Sequence, residues 1–513
     1  MCSIKPFITN FMSQIILTTL NATYIHASLG LRYLYANLDE LQQIAEIQEF
    51  TIKTRALDIV EQLLKNDPKI IGFGVYIWNA IETEAVIAQL KTVAPEIKVV
   101  LGGPEVSYET EIQSIFEFAD YVVTGAADLS FHKLCKDILE DNAPSQKVLK
   151  SKPVELIDLQ LPYQYFTDED LSKRLLYVEA SRGCPFKCEF CLSALDKNAY
   201  PFELNRFLEQ MDVLFKRGAR NFKFIDRTFN LKITTTLAIL DFFLQRMDDE
   251  LYLHFELIPD HLPEKLKQVI AKFPQSRIQF EIGIQTFNKE VQANISRRQN
   301  NQKSKDNVVW LKQQTTAHLH TDLIFGLPGE TLESFEESFD QLYACKPHEI
   351  QMGILKRLRG SPLIRHTENF DLRFNPLPPF NILSTSTIDF NTMQRINRFA
   401  RYWDMIGNSG RFKHILPILL SEKPFKDFLA LTDWIFSKTG QTHKINLKKL
   451  YELVAQAVEQ LYPERHKDIV IAMETDYERS KLKGSFKGLQ LVAQEKELGE
   501  LKHRANLRQQ RHL

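Results

Sequence analysis

Short apolar runs alternate with amphipathic helical patterns along most of this chain. Near the amino terminus the runs are IILTTL, IAEIQEFTI, KIIGFGVYI, KVVLGGPEV and YVVTG, and segments such as ALDIVEQLLKN and ETEAVIAQLKTV lie between them. Alternation of this kind is typical of parallel strands joined by crossover helices. It predicts an α/β fold in which residues 1–145 form a doubly wound, Rossmann-like domain with five strands.

A second alternating series follows a segment with several prolines and no clear periodicity, which we interpret as a linker over residues 146–172. Its six candidate strands are LLYVEAS, NFKFIDRTF, YLHFELIP, RIQFEIGIQ, AHLHTDLIFGLP and EIQMGILKRL. Six βα units in about 200 residues are typical of an open or partial barrel, whose chemistry gathers at the carboxyl ends of the strands. We therefore assign residues 173–374 to a partial (β/α)6 barrel.

The strand patterns stop at about Asn375. Apolar residues then recur at the spacing of a helix with one buried face, at Leu447, Leu450, Tyr451, Val454, Val458 and Leu461. We predict an all-α domain over residues 375–513. Its last thirty residues are polar and charge-rich, which is typical of a solvated helix or a frayed tail.

Length and composition exclude several classes of protein. A chain of 513 residues exceeds the roughly 250–300 residues that one hydrophobic core supports, so it needs several domains. Its net charge of −1 creates no overall field that attracts nucleic acid or an anionic membrane. No apolar run approaches the roughly 18 residues of a membrane span, and IILTTL is too short for the core of a signal peptide. We expect a cytoplasmic protein with no membrane or nucleic-acid partner.

Three of the six cysteines lie close together in SRGCPFKCEFC. Cys184, Cys188 and Cys191 follow the first strand of the predicted barrel, where barrel active sites lie. Thiolates are soft ligands that suit iron–sulfur clusters or zinc, and this spacing can hold three corners of one cubane cluster. A closed zinc site needs a fourth ligand from elsewhere, whereas a cluster with three protein ligands leaves one iron open. The cysteines alone leave both kinds of site open.

With its neighbours, this motif resembles the radical S-adenosylmethionine (radical SAM) superfamily. FEIGIQTFNKEVQANISR resembles the family's fourth-strand motif, and DLIFGLPGET resembles the fifth-strand motif that packs against adenosine. The resemblance implies a [4Fe–4S] cluster on the three cysteines, S-adenosylmethionine on the fourth iron, and an electron donor such as flavodoxin or ferredoxin. It places five further residues at the cofactor: Glu281, Gln285, Arg297, Asp226 and Gly326.

The residues themselves allow a structural interpretation for four of these five positions. Asp226 could cap the loop after its strand, and Glu281 could be a paired carboxylate inside the barrel. Arg297 could lie on a solvated helix surface. Gly326 could simply form a turn next to a proline.

The front domain resembles that of the cobalamin-binding subgroup of the family. The resemblance implies cobalamin across the carboxyl edge of the front sheet, with Gly102 and Gly103 approaching its nucleotide tail. The usual Asp-x-His-x-x-Gly signature is absent, so His26 is the candidate cobalt ligand, or else a loop histidine that bonds the backbone. Tyr76 and Trp78 either stack on the corrin or seal the end of the sheet.

The resemblance implies an enzyme whose difficult chemistry belongs to its cofactors. One electron would cleave S-adenosylmethionine to methionine and a 5′-deoxyadenosyl radical, and that radical would remove hydrogen from an unactivated carbon. With cobalamin bound, the predicted activity is C-methylation, so the enzyme would be a methyltransferase. The alternatives are radical cyclisation, rearrangement or sulfur insertion without methyl transfer, or a non-catalytic iron–sulfur or zinc protein. The sequence identifies neither the substrate nor the residues that act on it.

Overall fold

The front of the molecule is a doubly wound α/β domain. A computed structural model describes residues 13–196, 198–420, 423–482 and 511. The elements in this part are β1 (Ile15–Asn21), α1 (Leu29–Ala36), β2 (Ala45–Thr51), α2 (Ala56–Leu63), β3 (Ile70–Gly74), α3 (Ala80–Val93), β4 (Lys98–Gly102), α4 (Ile115–Phe118), β5 (Tyr121–Thr124), α5 (Ser130–Leu139) and β6 (Val148–Lys150). The strands are parallel in the order β2-β1-β3-β4-β5-β6. One apolar cluster packs α2 and α3 on one face, and another packs α1 and α5 on the opposite face.

This front sheet confirms the predicted fold class but has six strands where the sequence predicts five. The additional strand, β6, lies inside the predicted linker over residues 146–172 and pairs with β5. It is only three residues long and none of its residues is buried, so it carries almost no hydrophobic signal. The domain boundaries themselves stay predictions.

The second sheet is the predicted partial barrel. Its elements are α6 (Asp168–Lys173), β7 (Leu176–Val178), β8 (Ser181–Gly183), β9 (Ala199–Pro201), α7 (Leu204–Lys216), β10 (Asn221–Phe224), α8 (Ile233–Leu244), β11 (Tyr252–Leu257), α9 (Glu264–Ile270), β12 (Ile278–Gln285), α10 (Lys289–Asn294), α11 (Asn301–Gln314), β13 (His318–Phe325), α12 (Leu332–Ala344) and β14 (Glu349–Ile354). Six strands run parallel in the order β14-β13-β12-β11-β10-β7. Side chains alternate between the helices and the barrel interior, so Glu281 and Gln285 of β12 share the inner face. A short antiparallel hairpin, β8–β9, is added next to β7.

The carboxyl-terminal part is mainly helical, as predicted. It contains β15 (Arg373–Phe374), β16 (Ile382–Ser384), α13 (Phe390–Met405), α14 (Leu416–Leu419), α15 (Pro424–Thr439), α16 (Leu447–Leu461) and α17 (His466–Arg479). The strands therefore do not stop at Asn375, because β16 follows it and pairs with β15. α16 has the buried face that its spacing predicts. The polar segment predicted to be a solvated helix or frayed tail lies outside the described residues, apart from Arg511.

Within the described ranges, none of the helices combines the length and apolarity that crossing a bilayer requires.

Candidate active site

The three clustered cysteines lie in the loop that joins β8 to β9. Cys184 is buried, Cys188 and Cys191 are half-buried, and all three line one cavity of about 260 Å³. Burial, together with the two neighbouring thiols, raises the pKa of Cys184. Nη1 of Arg297 lies 3.6 Å from Sγ of Cys188. The positive charge of Arg297 is therefore placed to stabilise a thiolate, the form of cysteine that binds metals.

The three thiols are soft ligands on one loop that line one cavity. They suit an iron–sulfur cluster with one iron left open, whereas a closed zinc site would need a fourth ligand.

Glu189 anchors the cysteine loop from within. Its buried carboxylate accepts hydrogen bonds from Ser296 and Arg365, and Nε2 of His366 lies 2.7 Å from Oε2. These partners are 107 to 177 residues away along the chain, so sequence reasoning missed the role of Glu189. The loop is thereby tied to the far side of the barrel.

Three residues of the predicted fourth-strand motif line the same cavity as the cysteines: Glu281, Gln285 and Arg297. The register of β12 against β13 shifts between Gly283 and Gln285, and Gln285 has a φ of +70°. A bulge of this kind redirects a side chain, and a left-handed non-glycine residue stores strain that often marks a functional site. Oε1 of Gln285 is buried with no hydrogen-bond partner within the described part of the chain. This oxygen is an acceptor available to a ligand.

Glu281 is both a lining residue and a paired carboxylate. Its Oε1 lies 2.9 Å from Nζ of Lys223 and 2.9 Å from Nε2 of His254. Burial raises the pKa of Glu281, but the hydrogen bonds and charges of His254 and Lys223 outweigh burial and hold it well below its usual range. Lys223 and His254 are register neighbours on β10 and β11. In the sequence, only the alternation of side chains along each strand indicates that Lys223 and His254 point into the barrel.

Neither Asp226 nor Gly326 is among the described residues that line the cysteine cavity. Asp226 is buried and accepts hydrogen bonds from the backbone N–H of Ala180 at 3.0 Å and from Oγ of Ser181 at 2.6 Å. Burial raises the pKa of Asp226 to about 7. Gly326 has a φ of +90°, and a β-carbon there would lie 2.7 Å from Ile382. These surroundings fit the capping and turn interpretations, and contact of either residue with a cofactor stays a prediction.

A larger cavity of about 1510 Å³ lies between the front sheet and the barrel. The front domain contributes His26, Tyr76 and Trp78, and the barrel contributes Tyr177 and Arg227. Arg227 also lines the cysteine cavity, so the two cavities adjoin. The front-domain residues follow the carboxyl ends of β1 and β3, the edge at which open α/β sheets bind ligands.

Aromatic side chains and a histidine line this edge of the large cavity. The rings of Tyr76 and Trp78 stack at 4.5 Å and 7°, and Trp78 is 47% exposed, so it does not seal the sheet as a buried residue would. Nδ1 of His26 lies 2.6 Å from the hydroxyl of Tyr177. Burial, together with the charge of Lys223, lowers the pKa of His26, which keeps the imidazole neutral.

Gly102 and Gly103 are not among the described residues that line the large cavity. Gly103 has a φ of +108°, and a β-carbon there would lie 2.4 Å from the carbonyl oxygen of Val75. The loop that follows them reaches the barrel, where Glu105 forms a 2.8 Å ion pair with Arg359. The contact of Gly102 and Gly103 with a nucleotide tail stays a prediction.

Comparison with known proteins agrees with this geometry. Residues 178–342 match the radical SAM superfamily, and residues 15–134 match the B12 binding domain. The chain therefore contains a radical SAM domain and a B12-binding domain. Residues 368–513 match a third family, described as a protein of unknown function (DUF4080).

Two curated relatives and one solved structure are similar to this chain. It is 24% identical over 383 residues to the cobalamin-dependent radical SAM methyltransferase TokK of Streptomyces tokunonensis, which covers 64% of this chain and 53% of TokK. It is 26% identical over 228 residues to the uncharacterized methyltransferase PH0819 of Pyrococcus horikoshii, which covers 40% and 49%. The chain thus spans about half the length of these relatives.

The solved structure is TsrM from Kitasatospora setae, a radical S-adenosylmethionine methyltransferase with cobalamin and a [4Fe–4S] cluster bound. It matches with a TM-score of 0.60 and 15% identity, over 92% of this chain and all of TsrM. At this identity the similarity shows a shared fold.

Proposed function

We propose that this chain is a cobalamin-dependent radical SAM methyltransferase. It would cleave S-adenosylmethionine with a [4Fe–4S] cluster and most simply methylate an unactivated carbon of its substrate. The observation that carries the proposal is the adjacency of the two cavities, because Arg227 lines both the cysteine cavity and the larger one. The descriptions of TokK and TsrM support the same reaction class.

The chain's own residues have distinct tasks in the cysteine cavity. Cys184, Cys188 and Cys191 would hold the cluster, and Arg297 would offset the negative charge of the thiolates. When bound, the cluster supplies the single electron that cleaves the sulfonium. The unpaired amide oxygen of Gln285 would accept a hydrogen bond from a polar group of S-adenosylmethionine.

The chain's residues also have tasks in the larger cavity. The stacked rings of Tyr76 and Trp78 would pack against the apolar plane of the corrin. We propose that the hydroxyl of Tyr177 orients His26 through Nδ1, which would leave Nε2 as the nitrogen available to a metal, as hydrogen bonds commonly orient metal-binding histidines. Bound cobalamin would supply the methyl transfer. Walls from both domains would limit the access of water to radical chemistry.

Anaerobic reconstitution with iron, sulfide and hydroxocobalamin, followed by reduction, tests the proposal. The reaction products should include 5′-deoxyadenosine and S-adenosylhomocysteine, and both should be absent from Cys188→Ala treated in parallel. Flavodoxin or ferredoxin, the class of donor that we propose, should replace a chemical reductant. Deoxyadenosine without S-adenosylhomocysteine would favour cyclisation, rearrangement or sulfur insertion. If a chain with a full cluster forms neither 5′-deoxyadenosine nor S-adenosylhomocysteine, the proposal is contradicted.

A further inference from the structure

An ion pair joins the front domain to the beginning of the cysteine loop. Arg182 lies on β8, two residues before Cys184. Its Nη1 and Nη2 each lie 3.1 Å from a different carboxylate oxygen of Asp128, and its Nε lies 2.8 Å from Glu179. The guanidinium also lies over the ring of Tyr33, 4.3 Å from its centroid. A planar group held on two edges and one face has little freedom to move.

Asp128 belongs to the front domain and not to the barrel. It lies in the turn between β5 and α5, two residues after Ala126, which lines the large cavity. The side chain of Asp128 is only 9% exposed. An ion pair with this burial and a bidentate geometry holds its partners more firmly than the exposed pairs on the surface of the molecule.

The backbone between Arg182 and Cys184 is conformationally restricted. Gly183 has a φ of +88°, and a β-carbon there would lie 2.3 Å from the carbonyl oxygen of Asn198. β8 also pairs with β9 through all three of its residues. A displacement of Arg182 would therefore pass directly to Cys184.

A second ion pair between the domains has a less direct connection to the cysteines. Glu105 of the front domain is 4% exposed and lies 2.8 Å from Arg359, which follows β14. Arg359 lies six residues before Arg365, which contacts Glu189 in the cysteine loop, whereas Arg182 is two residues from Cys184. Because its burial and distance resemble those of Asp128, Glu105 serves as the control for the loss of an ion pair between the domains.

We propose that Asp128 is a positioning residue for the iron–sulfur cluster, through its bidentate ion pair with Arg182 at the beginning of the cysteine loop. The front domain thereby sets the surroundings of the first cysteine, in addition to lining the large cavity. This inference rests on the proposed function, because it requires a cluster on the three cysteines.

The test compares Asp128→Asn with Glu105→Gln and Asp128→Glu in the full chain, each reconstituted with iron and sulfide alone. The measurements are the electron paramagnetic resonance spectrum of the reduced cluster and the rate at which iron passes to a chelator. We expect Asp128→Asn to change the spectrum and to lose iron roughly tenfold faster, at the low end of the cost of removing residues that orient the ligands of a metal site. Glu105→Gln should keep the parent spectrum and rate, and Asp128→Glu should recover most of both.

Circular dichroism reports whether each variant folds. If Asp128→Asn does not fold, Arg182→Lys takes its place, because it keeps the positive charge but loses the bidentate geometry. Arg182→Lys should then show the same change in spectrum and rate. The inference, but not the proposed function, would be overturned if the substituted protein kept the spectrum and the rate of iron loss of the parent chain. It would also be overturned if Glu105→Gln changed both as much as the substitution at Asp128 or Arg182 does. A parent chain that takes up no iron would overturn the proposed function with it.

Discussion

Single residues in the barrel interior show how charge is balanced next to the cysteine cavity. Glu281 keeps its negative charge because Lys223 and His254 both contact one of its oxygens. Its register neighbour Glu256 is paired with Arg227 at 2.9 Å, yet burial raises the pKa of Glu256 despite this partner. Two carboxylates at the same level of the sheet therefore differ in how firmly the fold holds their charge.

We expect Glu281→Gln to lower the free energy of unfolding at neutral pH by about 2 kcal/mol, because it leaves Lys223 without its counter-charge. The folded protein depresses the pKa of Glu281, so the stability it contributes is present above the unfolded pKa of roughly 4.3 and is lost as the pH falls below it. Thermal unfolding of both proteins across the acidic range should show the difference shrink. Glu256→Gln is the control and should cost less at neutral pH; an equal cost would contradict this assignment.

The cysteine ligands give a direct spectroscopic prediction. Cys188→Ala should abolish the broad visible absorption of a reconstituted cluster and leave the far-ultraviolet circular dichroism unchanged, because Cys188 lies at the mouth of the barrel and not in its core. Cys345→Ala, which removes a buried thiol outside the loop, should keep the absorption. Full cluster content in Cys188→Ala would contradict the ligand assignment.

At the scale of elements, the β8–β9 hairpin decides where the cysteine loop begins and ends. The hairpin is short and depends on Gly183, whose conformation and surroundings exclude a β-carbon. Gly218 offers a comparison, since its φ of +101° is similar but nothing lies within 4 Å of a β-carbon there. Comparing substitutions at the two glycines distinguishes the cost of backbone strain from the cost of steric overlap.

We expect Gly183→Ala to destabilise the protein by more than about 2 kcal/mol and to reduce the iron bound per chain after reconstitution, since strain and overlap both act there. Gly218→Ala should cost about 1 kcal/mol, from strain alone, and should bind iron normally. Urea unfolding and iron analysis check the two variants together. Equal iron content in both would show that the hairpin does not position the cysteines.

The sequence predicts those elements whose signal is local. Five strands of the front sheet and six of the barrel are predictable because most of them are apolar runs bounded by turns, and α16 because its apolar spacing is regular. β6, β8, β9, β15 and β16 are not predicted, because each has only two or three residues, at most one of them buried. At the site, the cysteines have a distinctive spacing, whereas the roles of Glu189 and Lys223 depend on partners brought together only by the fold.

At the scale of the whole molecule, the larger cavity exists only where two domains meet. Its walls include His26 and Trp78 of the front sheet and Tyr177 of β7, and the junction is held by the ion pairs of Asp128 and Glu105. A complete cavity therefore requires both the front domain and the barrel.

A truncated front domain should accordingly bind hydroxocobalamin more weakly than the full chain does, because it lacks the wall formed by the barrel. Equilibrium dialysis of both proteins measures the difference. A chain carrying both Tyr76→Ala and Trp78→Ala should also bind more weakly, whereas Trp434→Ala, a substitution in α15, should not. Equal affinity of the truncated and full-length proteins would contradict a shared site.

The stack of Tyr76 and Trp78 also makes the protein its own optical probe. The chain has four tryptophans, and Trp78 is the one among them that lines the large cavity. A coloured corrin arriving beside this indole would accept its excitation energy and dim its emission, while Trp310, Trp403 and Trp434 would respond less. Occupancy of the cavity can then be followed by fluorescence titration, with no label and no knowledge of the substrate.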